Sequence, residues 1–220
     1  MAMNAKLLKS YINKLQFRQE LHDQTFHSDI YTLSKPRRLT HLVLHHCKYV
    51  SELFLIVTNE HYQELQEKGP QSGRIERLTV DGLIICLSMA NICNQSLFNA
   101  LEERQFSRQD AAEVLLRQVG LMAKTVEDID HMAQTNPLGD IMANAAIMAM
   151  CYMSLYLHSN DAPCTRHLEG MFGQLEHRLL SGERKNIHFR EHIKAITAKM
   201  QQYEVSEQLA KLNMKDEHIG

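Results

Sequence analysis

The sequence predicts an all-α protein, a helical bundle whose four-helix core comes from two repeated helix pairs with further helices flanking it. Three observations carry that prediction. Of 220 residues only 9 are Gly and 4 are Pro, and none is Trp; Leu, Ala, Met, Glu and Gln, all good helix formers, dominate instead. Apolar residues recur at three- and four-residue spacing, and no stretch of any length alternates as a strand does. Two stretches also look like imperfect copies of one pattern: an amphipathic helix, a polar connection, and a second apolar helix with an Asp near its start. The first runs from His41 to Leu53 and then from Leu78 to Ile85; the second runs from Glu113 to Met122 and then from Pro137 to Met142.

Taken in order, residues 4 to 22 carry Leu7, Leu8, Tyr11, Ile12, Leu15 and Phe17 at helical spacing. From Asp23 to Pro36 the period is lost, and Ser, Thr, Asp and Pro predict a surface loop. Ser34 and Pro36 then mark a helix start, because Pro suits a first turn whose N–H groups bond to nothing within the helix. The helix they open is predicted over 37–67, with Leu39, Leu42, Val43, Val50, Leu53, Phe54 and Val57 inward and His46 and Cys47 on other faces. Two glycines and a proline in Lys68–Gly73 stop it. A helix over 74–94, almost wholly apolar from Leu83 to Ile92, should be the most buried element of the first unit.

A short piece over 96–104 follows. Ser107 and Asp110 have capping-box spacing and open a helix to 134. Asn136 and Pro137 open another to 157, before a polar loop from His158 to Pro163. Helices over 164–180 and 187–212 complete the chain. Nothing resembling a flexible linker divides it, so residues 1–220 read as one domain, with repeat unit one over about 37–94 and unit two over about 107–157.

A hydrophobic content of 44% excludes wholesale disorder. The net charge of −2 offers no general attraction to nucleic acid or to an anionic membrane. Five cysteines, an odd number without a Cys-x-x-Cys, read as reduced thiols of a cytoplasmic protein. The apolar stretch Leu138–Leu157 contains Asp140, Asn144 and Ser154 and reads as a buried bundle helix rather than a membrane span. Met142, Met148, Met150 and Met153 on and around it read as core filling.

The paired pattern resembles the all-α NTP pyrophosphohydrolases, the superfamily of MazG and the dimeric dUTPases. In that family one helix carries Glu-Glu-x-x-Glu within a phrase like EEVGEL, and the next carries Glu-x-x-Asp within EELADVL. Lys48-Tyr49-Val50-Ser51-Glu52-Leu53 stands where EEVGEL would, and Arg77 to Leu83 stands on EELADVL. Only Glu52 and Asp81 match the acids. In the second unit Arg117 to Met122 keeps the Val-Gly framework without an acid, and Pro137 to Ile141 keeps Asp140 alone. The resemblance covers roughly residues 37 to 157. It implies a helical bundle, with Glu52 and Asp81 as the catalytic acids of an active form and Mg²⁺ or Mn²⁺ as cofactor. A nucleotide or another phosphate-bearing small molecule would be the ligand, held near Lys48 and Asp140.

The losses shape the functional expectation. Lys48 puts an ammonium where a metal-binding Glu belongs, so pyrophosphohydrolase chemistry is expected to be lost or altered. The site then binds an anion or nothing, or Lys48 simply pairs with Glu52 one turn away. Two alternatives stand beside this: an active metal-dependent pyrophosphohydrolase, and a helical scaffold with no small-molecule site. His41, His45, Lys48 and Glu52, spaced by 4, 3 and 4, form one helical stripe. The two histidines with Glu52 or Asp81 make a candidate transition-metal set. His22, His27 and Asp29, near the first loop, read as surface polar residues beside the bundle mouth, and a homodimer remains open.

Overall fold

The computed structural model describes residues 5–59, 62, 73–101, 106–129, 136–158, 170–174, 197–204 and 206. Among these there is no strand. The helices are α1 (Ala5–Phe26), α2 (Ser28–Tyr31), α3 (Lys35–Thr58), α4 (Arg74–Cys93), α5 (Leu97–Ala100), α6 (Arg108–Asp128) and α7 (Pro137–His158). Shorter helical pieces lie within 170–174 and 197–204.

Most boundaries follow local chemistry. Pro36 sits in the first turn of α3. The Ser107 hydroxyl accepts from the Asp110 N–H at 3.1 Å and caps α6, and the Asn136 side-chain oxygen accepts from the Gly139 N–H at 3.2 Å at the start of α7. Asn94 closes α4 in the left-handed region (φ 55°), with the Gln95 N–H bonded back to the Ala90 carbonyl.

Besides α5 and α6, which stop at Ala100 and Asp128 rather than at 104 and 134, two boundaries differ from the sequence reading. α3 ends at Thr58 rather than at 67: Asn59 turns extended, and the Thr58 hydroxyl bonds back to the Phe54 carbonyl. The expected loop from Asp23 to Pro36 is largely helical, because α1 continues to Phe26 and α2 follows almost at once. Tyr31 explains the second difference, since its hydroxyl donates to Glu20 at 2.6 Å and folds α2 back against α1. The predicted helices over 164–180 and 187–212, and the Lys68–Gly73 stop apart from Gly73, lie mostly outside the described residues.

The core is a ring of four long helices. α4 packs on α7, α7 on α6, α6 on α3 and α3 on α4, while α5 leans on α7. Leu39, Val43, His46, Val50, Leu53 and Val57, spaced by 4, 3, 4, 3 and 4, form the buried seam of α3. α4 is buried almost continuously from Leu78 to Cys93, as its unbroken apolar run requires. Pro137–Leu157 is long and apolar enough to cross a membrane by length and composition, and here it is the helix that α4, α5 and α6 surround. Its methionines at 142, 148, 150 and 153 are all buried.

α1 is strapped to the end of α4 by amides. Gln16 accepts from the Leu97 N–H at 2.9 Å and donates to the Gln95 carbonyl at 2.7 Å, while Asn91 donates to the Gln16 carbonyl at 2.9 Å. One side chain thus satisfies both the free N–H at the start of α5 and a carbonyl of the turn before it. The C-terminal pieces pack on α1: Phe172 stacks on Tyr11 and Tyr203 on Phe17.

Gly82 lets α4 approach α7. A Cβ at this position would overlap the Cζ, Cε1 and Cε2 atoms of Tyr152, whereas one on Gly120 meets nothing within 4 Å. Gly82→Ala is therefore expected to destabilise the fold by about 1–3 kcal/mol through overpacking. Gly120→Ala, on an exposed turn of α6, should stabilise it by about 0.5–1 kcal/mol. Urea unfolding of the two variants checks both signs.

Candidate functional site

The predicted stripe lies on α3 beside the buried seam, and its members part company. The His41 and His45 rings adjoin, with centroids 4.6 Å apart. Burial, then the neighbouring His41, Lys48 and His27, hold His45 below the usual imidazole range. Lys48 is exposed, its Nζ 5.9 Å from the centre of the Tyr49 ring. It forms no ion pair with Glu52, which is already engaged: Arg74 Nε and NH2 donate to the two carboxylate oxygens at 2.5 and 2.7 Å. That forked geometry uses both oxygens and holds the guanidinium charged.

Asp81 is almost fully buried, with Arg77 Nε 3.9 Å from its Oδ2. Seven residues separate it from Arg74, about 10 Å of helical rise. Asp140 is exposed in the first turn of α7. Antiparallel α3 and α4 thus bring Glu52 to the start of α4, where it meets Arg74. His41, His45, Glu52 and Asp81 do not gather into a ligand set: among the described residues, one group of three such side chains has all its ligand atoms within 4.8 Å, and it is His22, Asp23 and His27.

Two groupings differ from the sequence reading: one escaped it, and the other was read only as His22 and His27 with Asp29. The first is inside the bundle. His46 was expected on another face, yet it is fully buried, and its Nδ1 lies 2.9 Å from the Tyr152 hydroxyl across the ring of helices. Burial, with His45 a smaller cause, pushes the imidazole down to about 3, and burial pushes the phenol well above its usual range. Both groups are therefore neutral, and the bond runs from the phenol to Nδ1 or from Nδ1–H to the phenol oxygen according to the ring tautomer. Nε2 faces the Cys86 sulfur at 3.9 Å, and burial holds that thiol protonated. A neutral imidazole, a protonated thiol and a protonated phenol, closely packed, make a structural brace rather than a reactive centre. The signal was the 4-3-4 spacing itself, because His46 falls between Val43 and Val50 on the seam.

The second grouping closes α1. His22 and Asp23 lie in its last turns and His27 follows it, with the His22 and His27 ring centroids 5.3 Å apart. Burial, ahead of the charges around it, lowers His27 from the ordinary imidazole value. Its signal was weak, because His-Asp-x-x-x-His spans a predicted helix end and a predicted loop.

No protein-family model, curated protein or solved structure matches the chain. The functional reading therefore rests on the sequence resemblance and on this geometry.

The brace has a pH signature. His46 takes up a proton near pH 6.5 when unfolded but only near 3 when folded. Between those values the unfolded state binds more protons, so stability present above pH 6.5 is lost as pH falls toward 3, by a few kcal/mol at most. His27 and His45 act in the same direction. The difference between wild type and His46→Gln in urea unfolding at pH 7 and pH 4 isolates the contribution of His46. Tyr152→Phe, which leaves Nδ1 without its partner, should cost about 1–3 kcal/mol at pH 7.

Proposed function

We propose that this chain is a divergent MazG-like bundle whose pyrophosphohydrolase centre has become a non-catalytic binding module for small phosphate-bearing anions. The carrying observation is the forked Arg74–Glu52 pair. Mg²⁺ needs an octahedral shell of oxygens, and a guanidinium already seated on a carboxylate repels a second cation there. A guanidinium occupying both Glu52 oxygens supplies a permanent positive charge in the metal's place, without dehydrating an ion. Asp81 lies two turns further along α4, beside Arg77.

The anion-binding half of the reading rests on what surrounds that pair. Lys48 is exposed one turn from Glu52 and has no carboxylate partner among the described residues, and His45 and His41 continue the same stripe. A phosphate group approaching this face of α3 meets an ammonium and two imidazoles.

Pyrophosphate release from a panel of ribo- and deoxyribonucleoside triphosphates, with Mg²⁺ and separately with Mn²⁺, is expected to stay at background. Calorimetric titration with inorganic triphosphate should show weak, salt-sensitive binding that Lys48→Ala weakens roughly 10-fold. Metal-dependent turnover that disappears in Asp81→Asn would establish an active pyrophosphohydrolase and overturn the proposal. Absence of any anion binding would overturn the module reading and leave a scaffold.

A further inference from the structure

Neither the brace nor the Glu52–Arg74 pair uses the polar group at the end of α1. Asp23 and His27 are one helical turn apart, with the His27 N–H bonded to the Asp23 carbonyl at 3.1 Å, and His22 precedes Asp23 at the end of α1. All their ligand atoms then fall within 4.8 Å of one another. The Asp23 carboxylate is aimed from two elements. Gln19 Nε2 donates to Oδ1 at 2.7 Å from one turn earlier, and the Ser88 hydroxyl donates to Oδ2 at 2.7 Å from α4. Each oxygen keeps lone-pair capacity for one more partner.

The charge balance is what asks for a ligand. The Asp23 side chain is only 15% exposed and the donors that hold it are neutral amide and hydroxyl groups. Beside it, His22 Nδ1 is buried, stands 4.0 Å from Asp23 Oδ1, and has no hydrogen-bond partner among the described residues. Among the described residues, a largely buried carboxylate paired with no Lys or Arg, next to an imidazole nitrogen without a hydrogen-bond partner, is a site short of one positive centre.

We propose that His22, Asp23 and His27 bind a single divalent transition metal of the Zn²⁺ type. Two imidazoles and a carboxylate are the donor set that such ions take with one position left for water or another ligand. The same set is poor for Mg²⁺, which prefers an all-oxygen octahedron. Ligand atoms around Zn²⁺ stand about 3.4 Å apart at bond lengths of about 2.0–2.1 Å. Closing the group therefore takes about 1.5 Å of side-chain movement at most and no change in backbone. Gln19 and Ser88 act as the outer partners that orient the carboxylate. The metal would tie the end of α1 to the α1–α2 turn and, through Ser88, to α4.

The test uses the full chain, stripped of metal, titrated with Zn²⁺ alone and with Co²⁺ alone. One equivalent should bind, raise the melting temperature, and give Co²⁺ a visible d–d spectrum. His27→Ala, at an exposed position outside α1, should weaken binding more than about 100-fold while leaving helicity by circular dichroism unchanged, and Asp23→Asn should do likewise. Ser88→Ala should weaken it about 10-fold. The double variant His41→Ala/His45→Ala should bind as wild type does. Loss of binding in that double variant, binding indifferent to His27→Ala, or no stoichiometric binding at all would each overturn the assignment.

Discussion

The hydrogen bond between His46 and Tyr152 is the constraint on which the bundle depends. It crosses the ring from α3 to α7, helices that are otherwise separated by α4 on one side and α6 on the other. Both partners are fully buried, so each would carry a desolvation cost of a few kcal/mol without the other. Sliding either helix by one turn separates them and leaves two orphaned polar groups in an apolar interior. Gly82 belongs to the same constraint, because its missing side chain is the space the Tyr152 ring fills. Apolar seams tolerate small shifts, and this triad of positions does not, so it sets the register of three helices at once.

The two helix pairs meet at this point unequally. Aligning Glu52–Leu53 with Leu121–Met122 places His46 opposite Leu115, and aligning Asp81 with Asp140 places Tyr152 opposite Cys93. Both counterparts are apolar and buried. One diagonal of the bundle is thus polar and directional, and the other is plain packing. The same alignment sets Met89 on Met148 and Ala90 on Ala149, all buried, so the pairs share small and flexible residues where helices touch and differ where specificity is imposed. An arrangement with one polar diagonal has a single correct pairing, while two apolar diagonals would allow the pairs to exchange.

What the sequence made legible was local or periodic. Ser107 with Asp110, and Asn136 with Pro137, mark helix starts through bonds within four residues, and the structure places those starts where the residues stand. The seam of α3 was readable from Leu39 to Val57 except at His46, whose side chain made a polar face the natural expectation although its spacing put it inside. Partners distant in sequence were not legible. Glu52 finds Arg74 rather than Lys48 because α3 and α4 run antiparallel, and no helical period encodes that choice. The helicity of Asp23–Tyr31 was hidden for the same reason, since Tyr31 bonding to Glu20 and Asp23 bonding to Ser88 hold it in place.

Charge separation is the last element of the design. Arg74 and Glu52 neutralise each other at one end of the α3–α4 pair, about a third exposed, where solvent screens what remains. Around the brace the groups are neutral: burial leaves His46 unprotonated, and Tyr152, Cys86 and Cys151 keep their protons. Asp23 and the histidines around it sit at the rim between α1, α2 and α3, where partial burial raises the worth of a cation without forbidding its entry. The two groups read as binding sites lie on the outer face of α3 and at the end of α1, away from the brace. Changes on those faces can alter binding without disturbing the brace, because no hydrogen bond of the His46–Tyr152 pair reaches either of them.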